Sequence, residues 1–143
     1  PSGKLTFNLG TVQGDAASFI IRINYRYPVT KTYEDCAPIL NQAFAESGFT
    51  QLKEIHKKCL YLPENSPLVQ TLLRVYAEQT GLPPYPKSIG GGTYAKVIPN
   101  IVAFGPIFPG DEVREHKPDE FIKIDELMQN AHILAEALYQ LAK

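Results

Sequence analysis

The chain has no charge of one sign in excess. Fourteen Lys and Arg stand against fifteen Asp and Glu, a net charge of -1 at pH 7. That balance leaves no electrostatic footprint for nucleic acid or an anionic membrane surface. No apolar run is long enough to span a bilayer, and no signal-like segment opens the chain. The two cysteines, Cys36 and Cys59, fall on different predicted elements without CxxC spacing. This excludes a disulfide framework or a thiol zinc motif as the organising principle and points to a reduced, cytosolic compartment. There are no internal repeats and no low-complexity tracts. What remains, at 143 residues with 44% hydrophobic and 20% charged residues, is the composition of a soluble globular protein with one core of ordinary size or parts of two. The opening Pro1-Ser2-Gly3 lacks an initiator Met, and a strand pattern begins at once, which reads as a piece excised from a longer protein.

Leu5, Phe7 and Leu9 alternate with Lys4, Thr6 and Asn8, the pattern of a half-buried strand. Gly10 to Asp15 supplies turn chemistry, and a second strand is predicted over 18–27. On it Ile21, Ile23, Tyr25 and Tyr27 share one face, and Arg22, Asn24 and Arg26 share the other. A row of two guanidiniums and an amide is either solvated surface or a ligand-reading face. Thr32 can cap a helix that Gly48 ends, with Pro38 predicted to kink it or delay its start. Residues 52–62 read as a third strand, making a hairpin, helix, strand unit of ferredoxin-like type that is incomplete as it stands. Pro63 to Asn65 marks a boundary. Ser66 and Pro67 then open a helix with Leu68, Val69, Leu72, Leu73 and Tyr76 on one face, stopped by Gly81. A short strand is predicted at Ile101-Val102-Ala103-Phe104. Asp125 is predicted to cap a terminal helix with Leu127, Met128, Ala131, Leu134, Ala135, Leu138 and Tyr139 inward.

The chemistry concentrates between Lys87 and Glu120. Gly90, Gly92 and Ala95 fit G-x-G-x-x-G/A, but Val97-Ile98-Pro99 follows where a nucleotide-binding turn must open a helix. A Walker loop fails too, since Lys96 lacks the flanking Gly and the Ser or Thr. Backbone amides bared by glycine remain available to a ligand. His116-Lys117-Pro118-Asp119-Glu120 places an imidazole beside two carboxylates on a loop, the combination by which a carboxylate orients a metal-ligating ring. No second His is placed to complete a metal site: His56 reads as solvated and His132 as structural or exposed.

Five segments appear in order: Tyr25-Arg26-Tyr27-Pro28, Asn65-Ser66-Pro67-Leu68-Val69, Gly90-Gly91-Gly92-Thr93-Tyr94-Ala95, Val102-Ala103-Phe104-Gly105-Pro106 and His116-Lys117-Pro118-Asp119-Glu120. Together they resemble the C-terminal third of a dinuclear-metal dipeptidase of the peptidase V type, within the aminoacylase, carboxypeptidase G and carnosinase family. The resemblance implies an α/β (α+β) fragment in which 1–62 ends a ferredoxin-like lid and 63–143 returns to the catalytic α/β sandwich. It implies that Arg26 grips the substrate's terminal carboxylate, that Gly92 and Thr93 hydrogen-bond the same end, and that His116 ligates one of two divalent metals, zinc or manganese. The remaining ligands and the general base would lie upstream, in an H-x-D motif and a Glu-Glu pair, so no catalytic residue is expected in this piece and none of its own activity. The parent would be a monomeric cytoplasmic enzyme acting on short peptides, with no nucleic-acid or membrane partner. Two departures from the family pattern are Asp119, where Asn is common, and Asn24, where Asp is common. An amidohydrolase of N-acyl amino acids, or a non-catalytic interaction module, are the alternative readings.

Overall fold

The computed structural model describes residues 2–143. It is an α+β arrangement whose order is β1 (Thr6–Gly14), β2 (Phe19–Arg26), α1 (Tyr33–Glu46), α2 (Pro67–Thr80), a 3-10 turn (Tyr94–Lys96) and α3 (Ile124–Leu141). Two compact units result: residues 2–61 with Ser88–Gly92, and Leu62–Lys87 with Thr93–Lys143.

In the first unit β1 and β2 form an antiparallel hairpin, pairing Thr6 with Arg26 and Gly14 with Phe19. β1 runs on to Gly14, through residues whose composition suggests a turn, and β2 falls within the expected 18–27. Asp15 is the reason: its Oδ1 accepts the amides of Ala17 and Ser18 and closes a tight loop there. The register shifts between Leu9 and Thr11, leaving Gly10 as the extra residue of a bulge. The shift keeps Phe7, Leu9 and Val12 on the face of Tyr25, Ile23 and Ile21. Helix α1 packs on that face through Phe44, 6.2 Å ring to ring from Phe7 and 5.9 Å from Phe49, which meets Phe19 edge-on at 5.5 Å. The contact is thin, and the β1 apolar residues remain substantially exposed rather than half-buried.

A reciprocal capping box opens α1, Thr32 accepting from the Asp35 amide and the Asp35 carboxylate from the Thr32 amide. The helix runs unbroken through Pro38. The proline sits in the N-terminal half, where its missing N–H costs a single backbone bond. Residues 52–62 do not form the expected strand, because among the described residues no neighbouring strand offers them a ladder.

The second unit is built on α2 against α3. Pro67 starts α2 and Gly81 ends it in the left-handed region at φ 69°, as the punctuation predicts. Its deepest residue is Val75, fully buried with Leu72, Ile133 and Ala137, and Leu68, Val102, Phe104 and Phe108 pack around them. Residues 101–104 therefore contribute core side chains without being a strand, since among the described residues no partner strand lies alongside. Helix α3 shows the largest departure. Its inward stripe is Asn130, Ile133 and Ala137, whereas Leu127, Met128, Leu134, Leu138 and Tyr139 are exposed. The helix is apolar on more than one side, and periodicity alone cannot say which side α2 takes. Its N-cap is Lys123 rather than Asp125, which lies in the first turn where its charge favours the dipole.

Asn130 is the one buried polar side chain among the described residues. Its Nδ2 donates to the carbonyls of Pro106 at 2.8 Å and Glu126 at 2.9 Å, tying the loop before His116 to the helix. Gly105 makes the approach possible: at φ 80°, a Cβ there would lie 2.9 Å from Asn130 Oδ1. Asn130→Ala should cost about 1–3 kcal/mol in equilibrium urea unfolding, because the Pro106 carbonyl loses its donor in a partly buried position. A change below about 0.3 kcal/mol would show that the tie is dispensable.

Candidate functional site

Alternation along β2 sends Ile21, Ile23 and Tyr25 toward α1 and leaves Arg22, Asn24 and Arg26 exposed on the other face. Opposite them β1 presents Thr6, Asn8 and Thr11. The segment Ser88–Gly92 belongs to this same unit and runs beside the end of β2. A Cβ at Gly90 would lie 3.7 Å from Arg26 Cδ, so the bare glycine backbone lies close to the aliphatic stem of Arg26. The guanidinium forms no ion pair among the described residues. The structure thus brings Arg26 and the glycine turn together.

A second cluster was not expected from the sequence. His56 Nε2 lies 2.6 Å from the Tyr27 hydroxyl, and its ring sits 4.3 Å from that of Tyr33. Interaction with the Glu54 carboxylate, helped by desolvation, pushes the Tyr33 hydroxyl up to about 12, and the same contact holds the Glu54 carboxyl below its usual range. These side chains pin residues 51–61 to β2 and α1 in place of a ladder. The available signal was Tyr27, which continues the apolar alternation of β2 beyond the last paired residue. His56, read as solvated, is instead a partner of two tyrosines.

The second unit carries Thr93 and His116. Thr93 caps the 3-10 turn, its Oγ1 accepting from the Ala95 amide at 3.3 Å above a fully buried Ala95. Used as an acceptor, the hydroxyl still has a proton to donate. His116 lies at φ 62° on the exposed loop between Pro106 and Lys123. Its backbone amide donates to Glu120 Oε2 at 3.2 Å, so Glu120 orients the loop backbone and not the imidazole. Asp119, at φ 58°, makes a second left-handed corner. Around them Arg114 binds Glu112 at 2.7 Å and lies 4.8 Å over the Phe121 ring. Lys123 joins Asp111, at 3.1 Å, and Glu126; the ammonium holds the Asp111 carboxyl below its usual range. A cavity of about 400 Å³ lies between Pro106, Ile107, Phe121 and Ile122 with a carboxylate rim.

Among the described residues no group of three or more His, Cys, Asp and Glu could hold a metal ion. A single imidazole cannot retain a catalytic metal. The donor set among the described residues is therefore incomplete for a metal centre.

The Tyr33–Glu54 contact has a pH signature. Tyr33 is held neutral, so its contribution is complete below the ordinary tyrosine range and is lost as pH rises through about 12. Glu54 is held charged, so its contribution is present at neutral pH and is lost as pH falls through the carboxylate range. In a spectrophotometric titration of the phenolate band, one tyrosine should ionise well after the others, and Glu54→Gln should return it toward 10. An unchanged curve in that variant would remove Glu54 as the cause.

Residues 12–140 match the model of peptidase family M20/M25/M40. The "Putative dipeptidase YtjP" of Bacillus subtilis (strain 168) is 39% identical over 144 residues, covering 99% of this chain and 30% of that protein. A "Putative dipeptidase" of Staphylococcus epidermidis is 36% identical over 97% of this chain and 30% of its own length. The "Beta-Ala-Xaa dipeptidase" of Lactobacillus delbrueckii subsp. lactis is 43% identical over 83 residues, 58% of this chain and 18% of its own. The chain thus spans about 30% of the length of the relatives that match it throughout. With a family match over nearly all its residues, the chain belongs to peptidase family M20/M25/M40.

Proposed function

We propose that this chain is the C-terminal part of a cytoplasmic, metal-dependent dipeptidase, and that its own residues bind and orient the free C-terminus of a short peptide. The observation that supports this most directly is Arg26, an exposed guanidinium in no ion pair among the described residues, standing beside the glycine turn. A carboxylate is what such a group recognises, through two parallel charge-assisted hydrogen bonds. The amide at Gly92 and the hydroxyl of Thr93 are donors for the same end of the substrate. His116 offers one imidazole to a metal whose other ligands lie elsewhere in the parent. Residues 1–62 then end the lid, and 63–143 belong to the catalytic domain.

In this reading binding and orientation are the work of Arg26, Gly92 and Thr93. A substrate clamped by its terminal carboxylate has its scissile amide at a set distance from the clamp, which favours dipeptides over longer chains. His116, with ligands supplied elsewhere in the parent, would hold a divalent metal, which would supply polarisation of the carbonyl and a water of lowered pKa. No residue of this chain is assigned the proton transfer.

Three measurements test it. The isolated chain should not turn over dipeptides with added zinc or manganese, and turnover above a metal-only blank would refute the division of labour. In the full-length parent His116→Ala should lower activity by at least the roughly 10–100-fold seen when groups behind a ligand are lost, with reduced metal content. Wild-type turnover and metal content would remove His116 as a ligand.

Arg26→Ala should lower kcat/KM for dipeptides on the order of 100-fold, and Arg26→Lys should restore it only in part, since an ammonium cannot make the two-pronged contact. A C-terminally amidated substrate should be strongly disfavoured by wild type and hardly distinguished from the acid by the alanine variant. Equal preference for the acid in both enzymes would show that Arg26 does not read the carboxylate.

A further inference from the structure

The face that carries Arg26 carries a second cation with the same character. Of the chain's four arginines, Arg74 pairs with Glu78 and Arg114 with Glu112. Arg22 and Arg26 pair with no carboxylate among the described residues. Both stand on β2 with Asn24 between them, and the β1 residues across from them are Thr11, Asn8 and Thr6. No acid comes from either strand. Asp15, at the hairpin turn, spends its carboxylate on the Ala17 and Ser18 amides, and α1 with its acids packs on the opposite face. A face kept merely soluble has no need to exclude carboxylates, and cross-strand pairs of opposite charge are the ordinary way to stabilise one.

The bulge at Gly10 maintains this arrangement. Were the pairing regular past Leu9, Gly10 would oppose Arg22, Thr11 would turn to the apolar face and Val12 to the polar one. The backbone passes close there: a Cβ at Gly10 would lie 3.2 Å from the Arg22 carbonyl oxygen. The one side-chain bond of Arg22 among the described residues, from Nη1 to Gln13 Oε1, is 3.5 Å long, at the outer limit for such a contact, so the guanidinium is held loosely. Four residues along a strand separate the two Cα atoms by about 13 Å. Two long stems can converge over Asn24 from that spacing, each with a planar fork suited to a carboxylate.

We infer that Arg22 is a specificity-determining residue and that this face takes short peptides with two carboxylates, the terminal one at Arg26 and an acidic C-terminal side chain at Arg22. The inference rests on the reading of Arg26 given above. Asn24, where a negative residue would repel the second carboxylate, completes a face with no anion of its own.

The experiment titrates the intact chain with Gly-Glu and with Gly-Gln at low salt, following the arginine Nε–H resonances by NMR, with circular dichroism confirming that variants are folded. Wild type should bind Gly-Glu roughly threefold to fivefold tighter, the size expected of one exposed ion pair. Arg22→Gln should erase that preference and leave the Gly-Gln affinity unchanged, while Arg26→Gln should weaken both peptides. Equal affinities in wild type, a preference that survives Arg22→Gln, or no shift with either peptide overturns the inference. A preference lost with Arg22→Gln while Arg26→Gln weakens neither peptide overturns the terminal-carboxylate reading instead, and with it the two-point assignment.

Discussion

An extended backbone needs a partner for its hydrogen-bonding groups, and among the described residues only β1 and β2 find one in each other. The rest of the architecture follows from that constraint. Residues 51–61 are pinned by His56 on Tyr27 and Tyr33 and by Glu54 on Tyr33. Residues 101–104 are anchored by placing Val102 and Phe104 against α2 and α3. Side chains take over where a ladder is missing. Among the described residues Arg22 and Arg26, on the polar face of the hairpin, are in no ion pair.

Within the second unit, order propagates from a small dry core. Val75, Leu72, Ile133 and Ala137 bring α2 and α3 together, and Asn130 extends that contact to the loop through the Pro106 carbonyl. From there a run of local bonds holds the loop: Asp111 to Phe108 and Lys123, Lys117 to the Arg114 carbonyl, Glu120 to the His116 amide. His116 and Asp119 both take left-handed backbone conformations, which non-glycine residues adopt only where neighbouring contacts compensate. The loop's shape is thus specified by backbone bonds, and the imidazole is left free of hydrogen bonds to its carboxylate neighbours.

Family membership and the proposed activity rest on different grounds. The family follows from matching residues along nearly the whole chain. The proposed site rests on the chemistry of individual groups: a guanidinium in no ion pair among the described residues, a turn whose backbone lies bare beside it, and an imidazole in a donor set that the described residues do not complete.

Local signals determined a good deal by themselves. Thr32 with Asp35, Pro67 and Gly81 specify helix ends through backbone groups that need partners within a few residues, and alternation separates the two faces of β2. The five ordered segments around Arg26, Asn65, Gly90, Val102 and His116 carry the family resemblance. Tertiary structure decided what local signals leave open. Residues 52–62 and 101–104 have strand-like patterns, yet a strand exists only if a second one pairs with it. Helix α3 is apolar on several sides, and only the position of α2 selected Ile133 and Ala137 over Leu134 and Leu138. His56 became a tyrosine partner because a segment remote in sequence lies beside Tyr27 and Tyr33. Periodicity and capping act over single turns, whereas partner choice depends on residues tens of positions away.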